Sequence, residues 1–541
     1  MGDSAKMTTR LRTCVWAVLT MLAIVGVATA WAMDSPVGAG PDEASHIVHA
    51  YGVATGQTLP ANETLRIDNH GVVLTQITVP ASLQEYEDTT CYLSKPSSTP
   101  SCGFVEAHPS GRQRVTLSSY MTRYPPLYYA AVGTVIRGAL AAGASGQETL
   151  VLARIASGVA CLALVLLGAA LLWRRFRGPG PALMVLAALT PVSLSLFSTV
   201  NPNGLEIAAA VLTASFVCVL REDYRHSSRA QPLLLAGFVV SLTILTWTRP
   251  LSLVWAGLLL GVLLLPGGML PSLRLRKPDL AAFVLAVVSL AAASAWLLYS
   301  AATRTISVHD ANANWSDFPL PVKIVMVSLK FGDLVQQMIG LIGSDTTLPL
   351  LLVLVWCTLT VLILCIFAYG ARRATTSLRH VTAFAIGSVA VVGGYSLLTA
   401  FGWQGRYWLP AVAAALILCV PSLQGRHLNL RSTKRITLGA TALFLVMQVS
   451  GFLWHLWRYV YGVHPYYARF DAMPLPRATS GWLPPIGQPL TFALLLLGSG
   501  FLALLLLRRS WHLPGGTDTT TQPINNALTE SMGELPRRSH P

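Results

Sequence analysis

The sequence predicts an all-α polytopic membrane protein of about twelve spans, and three observations predict it. Apolar side chains make up 53% of the 541 residues and charged ones only 11%, with a mean hydropathy of +0.56, outside the range of soluble domains. Apolar runs of about 20 residues, the length that crosses a bilayer, recur along the chain. Lysine and arginine gather at every second break between these runs, as they do in cytoplasmic loops. The net charge of +15 would suggest nucleic acid in a soluble protein. Distributed in this way it sets topology and faces anionic membrane lipids, and nucleic acid drops out as a partner.

Taken in order, residues 1–13 with Lys6, Arg10 and Arg12 form a cytoplasmic N-terminus, and Cys14–Met33 the first span. This span resembles a secretory signal, with small residues at Ala28 and Ala30, but eleven more follow and it is expected to stay uncleaved. Further spans are placed at 149–173, 181–200, 205–220, 232–247, 251–266, 280–302, 348–370, 381–400, 408–423, 436–457 and 490–507. The clusters Arg174/Arg175/Arg177, Arg221/Arg225/Arg229, Arg274/Arg276/Lys277, Arg372/Arg373/Arg379, Arg426/Arg431/Lys434/Arg435 and Arg508/Arg509 then all fall inside. Both termini become cytoplasmic in a plasma membrane. The apolar stretch 124–142, "YPPLYYAAVGTVIRGALAA", stays out of the count, because a crossing there would put "WRRFRG" outside and invert every later loop. It is expected to lie flat on the outer surface, with Tyr124, Tyr128 and Tyr129 in the interface and Arg137 snorkelling.

Residues 34–148 thereby form a long extracytoplasmic loop. Cys91 and Cys102 lie in it and can close a small disulfide loop if that compartment is oxidising; otherwise they are two free thiols. The other six cysteines fall in or beside apolar runs, where thiols act as small hydrophobes. Residues 149–507 make the bundle, and the polar tail 508–541 is expected to be disordered in the cytoplasm.

Ionisable groups near spans mark functional sites, and here they collect at the outer ends. In "PDEASHIVHAYGVATG", Gly40–Pro41 starts a helix with Asp42 and Glu43 in its first turn, and Gly56 stops it. Asp42, His46 and His49 then share one face while Glu43 points elsewhere, so a single base fits better than a hydrolytic carboxylate pair. An Asp/His/His metal set is only a loose match to known spacings. No metal or cofactor is assigned, and dependence on a divalent ion stays open. In "GWQGRYWLP", Arg406 offers a fork of donors suited to phosphate, beside Gln404 and Tyr407; the competing reading is an aromatic belt with an incidental arginine. Arg249 in "WTRP" is a second phosphate candidate or a turn-capping arginine. "NPNG" at 201–204 reads as a tight turn and Glu206 as a first-turn acid. His309, Asp310, Trp315 and Asp317 read as a solvated loop, and Tyr459–Asp471 as a loop whose Tyr and His residues can line an acceptor groove.

This arrangement resembles the C-type membrane glycosyltransferase (GT-C) superfamily: a cytoplasmic N-terminus, one span, a large outer loop opening on an acidic motif, a surface helix, and arginines at the outer ends of later spans. More closely, "PDEASHIVHAYGVATG", "YPPLYY", "NPNG", "RP" and "QGRYWLP", in this order over Met33 to Leu423, are similar to a group of bacterial predicted membrane proteins within or near that superfamily. Asn203 stands where that group is expected to carry Asp, so no catalytic or metal role is carried onto it. The resemblance implies transfer of a sugar from a polyprenyl-phosphate-linked donor to a glycan, lipid or protein acceptor of the cell envelope. Asp42 would then be the catalytic base, with Glu43 grouped beside it. His46, His49, Tyr124, Arg249, Gln404, Arg406 and Tyr407 would bind donor or acceptor. A transporter or lipid flippase, which predicts broken helices and polar midplane groups, and a non-catalytic envelope-assembly protein are the alternatives.

Overall fold

In the computed structural model of the protein the described residues are 2–57, 65–67, 73–84, 91–95, 97–100, 113–227, 231–270, 276–300, 315–369, 374–399, 402–423, 430–462 and 482–511. Cys102, His309, Asp310 and the tail from 512 onward lie outside them. The chain is mostly helical: α1 (Gly2–Ala32), α2 (Glu43–Ala54), α3 (Pro126–Ala141), α4 (Gly146–Arg175), α5 (Gly180–Ala188), α6 (Pro191–Phe197), α7 (Pro202–Ser227), α8 (Pro232–Thr246), α9 (Ser252–Leu264) and α10 (Lys277–Ser300) come first. They are followed by α11 (Leu320–Gly340), α12 (Leu350–Ala368), α13 (Ala374–Thr399), α14 (Gly405–Leu418), α15 (Leu430–Tyr461) and α16 (Gln488–Trp511).

Among the described residues nine helices are long and apolar enough to cross a membrane, in α1, α4, α7, α10 and α12–α16. Three of the expected spans differ. The run at 181–200 is two helices, α5 and α6, meeting at 71°. Pro191 opens α6, and a proline forces the residue before it out of the helical region; Thr190 is accordingly extended, at φ −66° and ψ 161°. The groups freed by the break are partnered: Thr190 Oγ1 accepts from the Ser193 amide and donates to the Met338 carbonyl at 2.9 Å, and the Gln448 amide donates to the Leu189 carbonyl. The other two, α8 and α9, have 15 and 13 residues. At 1.5 Å per residue they reach about 22 and 20 Å, short of a hydrocarbon core of about 30 Å.

The long segment after α1 is not purely helical, which corrects the all-α expectation. Strands β1 (Leu65–Ile67), β2 (Val73–Pro80) and β3 (Arg114–Ser119) form an antiparallel sheet in the order β1-β2-β3, with Thr75 opposite Ser119 and Ile77 opposite Leu117. In β2, Thr75, Ile77 and Val79 are buried in alternation, as a half-buried strand requires. The sheet closes over α2, and α2 lies on α3. Ile47, Val48, Ile77, Leu117, Tyr129 and Ile136 share a second apolar core apart from that of the bundle.

Helix α3 is a helix as expected, 16 residues and about 24 Å long, but its tyrosines do not face outward. Tyr124, Tyr128 and Tyr129 are buried in this second core, and Arg137 donates to the Ala54 carbonyl at 3.0 Å. Gly133 allows the contact: a Cβ there would stand 2.0 Å from the Ala50 carbonyl oxygen. Cys91 is disulfide-bonded and the six cysteines other than Cys91 and Cys102 are free.

Candidate functional site

Helix α2 begins two residues later than its sequence suggests. Asp42 stands before it in the left-handed region, φ 58°, and its side chain does not cap the helix. Such a conformation costs an aspartate on the order of 1–3 kcal/mol and collects at functional sites. Here it turns the carboxylate outward. Asp42 Oδ2 accepts from Arg406 at 2.8 Å and Oδ1 from the Tyr120 hydroxyl at 2.6 Å. The Asp42 side chain is 30% exposed and the Arg406 side chain 13%. Burial pushes the Asp42 carboxyl up, but Arg406 first, then His46 and the Tyr120 hydrogen bond, leave it below its usual value. The same contact, with burial, pushes the Tyr120 hydroxyl well up.

Glu43, one residue on, has another environment. Its carboxylate is wholly buried and paired with Arg154 at 2.5 and 2.7 Å, and it also accepts from the amides of Val200, Gly38 and Gly40. Burial raises its carboxyl, and Arg154 with these amides more than reverses that. The remaining donors of Arg154 go to the carbonyls of Ala32, Ser35 and Pro36. Every face of Glu43 is taken, so the grouping of Glu43 with Asp42 as catalytic is not what the geometry offers: it clamps α4 and the end of α1 beneath the acidic loop.

Arg406 is the second residue of α14, and Gly405 before it brings α14 against α11: a Cβ at 405 would lie 2.6 Å from Gln337 Cβ and 2.7 Å from the Leu334 carbonyl oxygen. The Tyr407 ring is flanked by two guanidiniums, Arg406 at 5.1 Å and Arg249 at 4.8 Å. Arg249, at the α8–α9 turn, is buried; it pairs with Glu206 at 3.3 Å, donates to the Asn203 side-chain oxygen, and lies 5.8 Å from the Tyr124 ring. Ser252 donates to Glu206 at 2.8 Å. Asn203 thus serves as a neutral acceptor while Glu206 supplies the charge. Asn201 ties this turn to the acidic loop through the Pro41 carbonyl at 2.7 Å.

The two histidines sit behind this front. His46 Nδ1 is 2.9 Å from the Tyr129 hydroxyl, and the His49 ring packs 4.1 Å from the Tyr129 ring. Burial depresses both imidazoles to about 3, Asp42 opposing this at His46 and the Tyr124 backbone at His49. Both are neutral at physiological pH. Among the described residues no group of three or more His, Cys, Asp or Glu converges as a metal site.

A small cleft of about 10 Å³ opens beside the ion pair, lined by Pro41, Gln337, Gln404 and Arg406 together with Val192 and Leu196 of α6. Arg406 Nε and Gln404 Oε1 are buried there without a hydrogen-bond partner among the described residues. Of the residues named from sequence, Asp42, Gln404, Arg406 and Tyr407 meet at this cleft or its edge. Arg249 and Tyr124 stack behind Tyr407, and His46, His49 and Glu43 lie deeper. Tyr120 and Arg154 were missed. Arg154 carried a legible signal, since an arginine inside an apolar span demands a buried partner; Tyr120 carried none.

No curated protein matches the chain. The family described as "Predicted membrane protein (DUF2142)" matches residues 24–415, a stretch that runs from α1 into α14 and holds both halves of the Asp42–Arg406 pair as well as Glu43, Arg154, Asn203, Glu206 and Arg249, and the chain belongs to that family.

Proposed function

We propose that the protein is a C-type glycosyltransferase, crossing the plasma membrane twelve times with α8 and α9 as short spans, that moves a sugar from a polyprenyl-phosphate donor to a cell-envelope acceptor on the extracytoplasmic side. The observation that carries this reading is the half-open Asp42–Arg406 pair at the edge of a cleft lined by polar and apolar side chains together. A polyprenyl phosphate brings an anion for Arg406 and an isoprenoid tail for Val192 and Leu196, and the cleft, about 10 Å³ as it stands, widens to admit them. The donor phosphate competes with Asp42 for Arg406, whose planar fork can hold two phosphate oxygens. Asp42 then loses the charge that holds its carboxyl down while its burial persists, so its proton affinity rises when the donor is in place.

In the transfer step the acceptor hydroxyl gives its proton to Asp42 and its oxygen attacks the anomeric carbon. The carbon–oxygen bond to the phosphate breaks and the leaving phosphate oxygen keeps the electron pair, its negative charge stabilised by the Arg406 guanidinium, with Arg249 behind Tyr407 adding to the field. A phosphate leaving group needs no general acid. One base on one face predicts inversion at the anomeric carbon.

The test is Asp42→Asn. The variant should insert and fold as wild type and lose about 10²- to 10⁴-fold in transfer from a panel of radiolabelled polyprenyl-phosphate sugars. Cell-envelope glycans compared with and without the protein should differ; identical profiles, with no labelled donor turned over, sink the reading. The 71° break between α5 and α6 favours a transporter as the second reading, although its polar partners are uncharged; flux of a labelled lipid across proteoliposomes by Asp42→Asn protein would support that alternative.

A further inference from the structure

The opposite end of α7 from Glu206 carries a cavity of about 560 Å³ with a lining of a different kind. Arg221 and Arg225 of α7 and Arg379 and His380 of α13 line it, with Glu222 as the single acid. Apolar side chains complete the lining, among them Val262 of α9, Leu265 just after it and Leu418 of α14. Arg221 holds this lining in place: it donates to the carbonyls of Val262, Leu265 and Pro266 at the end of α9 and lies 2.6 Å from His380 Nε2. A guanidinium only donates, so this ring nitrogen accepts. Arg225 and Arg379 are exposed, and among the described residues neither is held in an ion pair.

We propose that this cavity binds a phosphate group, that of an anionic lipid in the adjoining leaflet. Guanidiniums from two helices converge on one concave space, and several planar donor forks suit the oxygens of a phosphate. Positive charge spread for topology alone needs only loops on the right side; here it is gathered at the mouth of a cavity between helices, the arrangement that takes phospholipid head groups. The apolar lining suits an acyl chain and offers nothing to a fully hydrated anion. The placement has a mechanical consequence. α7, α9 and α14 meet at the cavity, and their other ends carry Glu206, Ser252 and Arg406. A bound phosphate bridges α7 and α13, and an acyl chain beside it packs on α9 and α14.

The test uses full-length protein in neutral detergent with three probes: phosphatidylglycerol, phosphatidylcholine and inorganic phosphate. Phosphatidylglycerol should raise the thermal unfolding midpoint and remain bound in native mass spectra. The double variant Arg225→Gln/Arg379→Gln, which leaves the Arg221 contacts intact, should need at least ten-fold more of it for the same shift. The same change of charge elsewhere at that end, Arg174→Gln/Arg177→Gln, should respond as wild type. If inorganic phosphate alone reproduces the shift with the same dependence on the two variants, the phosphate site stands and its ligand is soluble. If phosphatidylcholine serves as well as phosphatidylglycerol, or the two double variants respond alike, the proposal is overturned. The outcome does not depend on whether the acid site transfers sugar.

Discussion

Asp42 and Glu43 are adjacent and chemically alike, yet they occupy opposite environments. Asp42 leaves the helix in a left-handed conformation and shares its charge with a partly exposed arginine; Glu43 enters the helix and is sealed onto Arg154. Removing one partner of a buried pair leaves the other charged and unsatisfied. Glu43→Gln should therefore cost about 3–5 kcal/mol of stability and lower expression, whereas Asp42→Asn should leave the thermal midpoint nearly unchanged; equal melting of the two variants would refute the division of roles. The histidines set a pH dependence. A folded-state value of about 3 for His46 and His49 lies below the unfolded value of about 6.5, so their contribution to stability is complete above pH 6.5 and is lost as pH falls toward 3. Each histidine adds a slope of at most about 1.4 kcal/mol per pH unit across that window. His49→Phe, which keeps the ring packing on Tyr129, should flatten the acid limb of a melting-midpoint-against-pH curve, and an unchanged slope would remove His49 from the account.

At the level of elements, the site depends on close approaches that only glycine permits. Gly405 sets α14 against α11 and thereby aims Arg406. Gly405→Ala should push the two helices apart, cost on the order of 1–3 kcal/mol as overpacking does, and reduce the proposed transfer by more than its loss of folded protein explains. Retained specific activity in the folded fraction would show that the α14 position is not critical. Much of the site was legible at this scale: an acidic loop, an arginine at a helix start and an asparagine turn stand out in a chain with only 11% charged residues. The buried tyrosines of α3 were not, because a hydroxyl that suits a membrane interface also suits a core when a histidine or serine answers it, as His46 answers Tyr129 and Ser157 answers Tyr128. The strands were hidden likewise, since the alternation in "VLTQITVP" is short and its partner β3 lies more than thirty residues on.

For the whole molecule, sidedness decides whether the acid site and the basic cavity face different compartments. Among the described residues nine helices are long enough to cross; with the bent α5–α6 pair counted as one further span, both termini fall on one side whether α8 and α9 cross separately or turn back together, as the proposed topology requires. An impermeant thiol reagent applied to intact cells should label Ser145→Cys and spare Arg177→Cys. The reverse pattern would move the acid site to the cytoplasm and remove the proposed donor chemistry.

The sequence by itself determined that the chain lies in a membrane, roughly where it crosses and at which ends its charges gather, because these follow from transfer free energies summed over contiguous residues. Only the tertiary structure decided which of two neighbouring carboxylates stays open. That depends on Arg154 and Arg406, 111 and 364 residues away from their partners, and a charge so distant enters the local energy of an aspartate only once packing has brought it within a few ångströms.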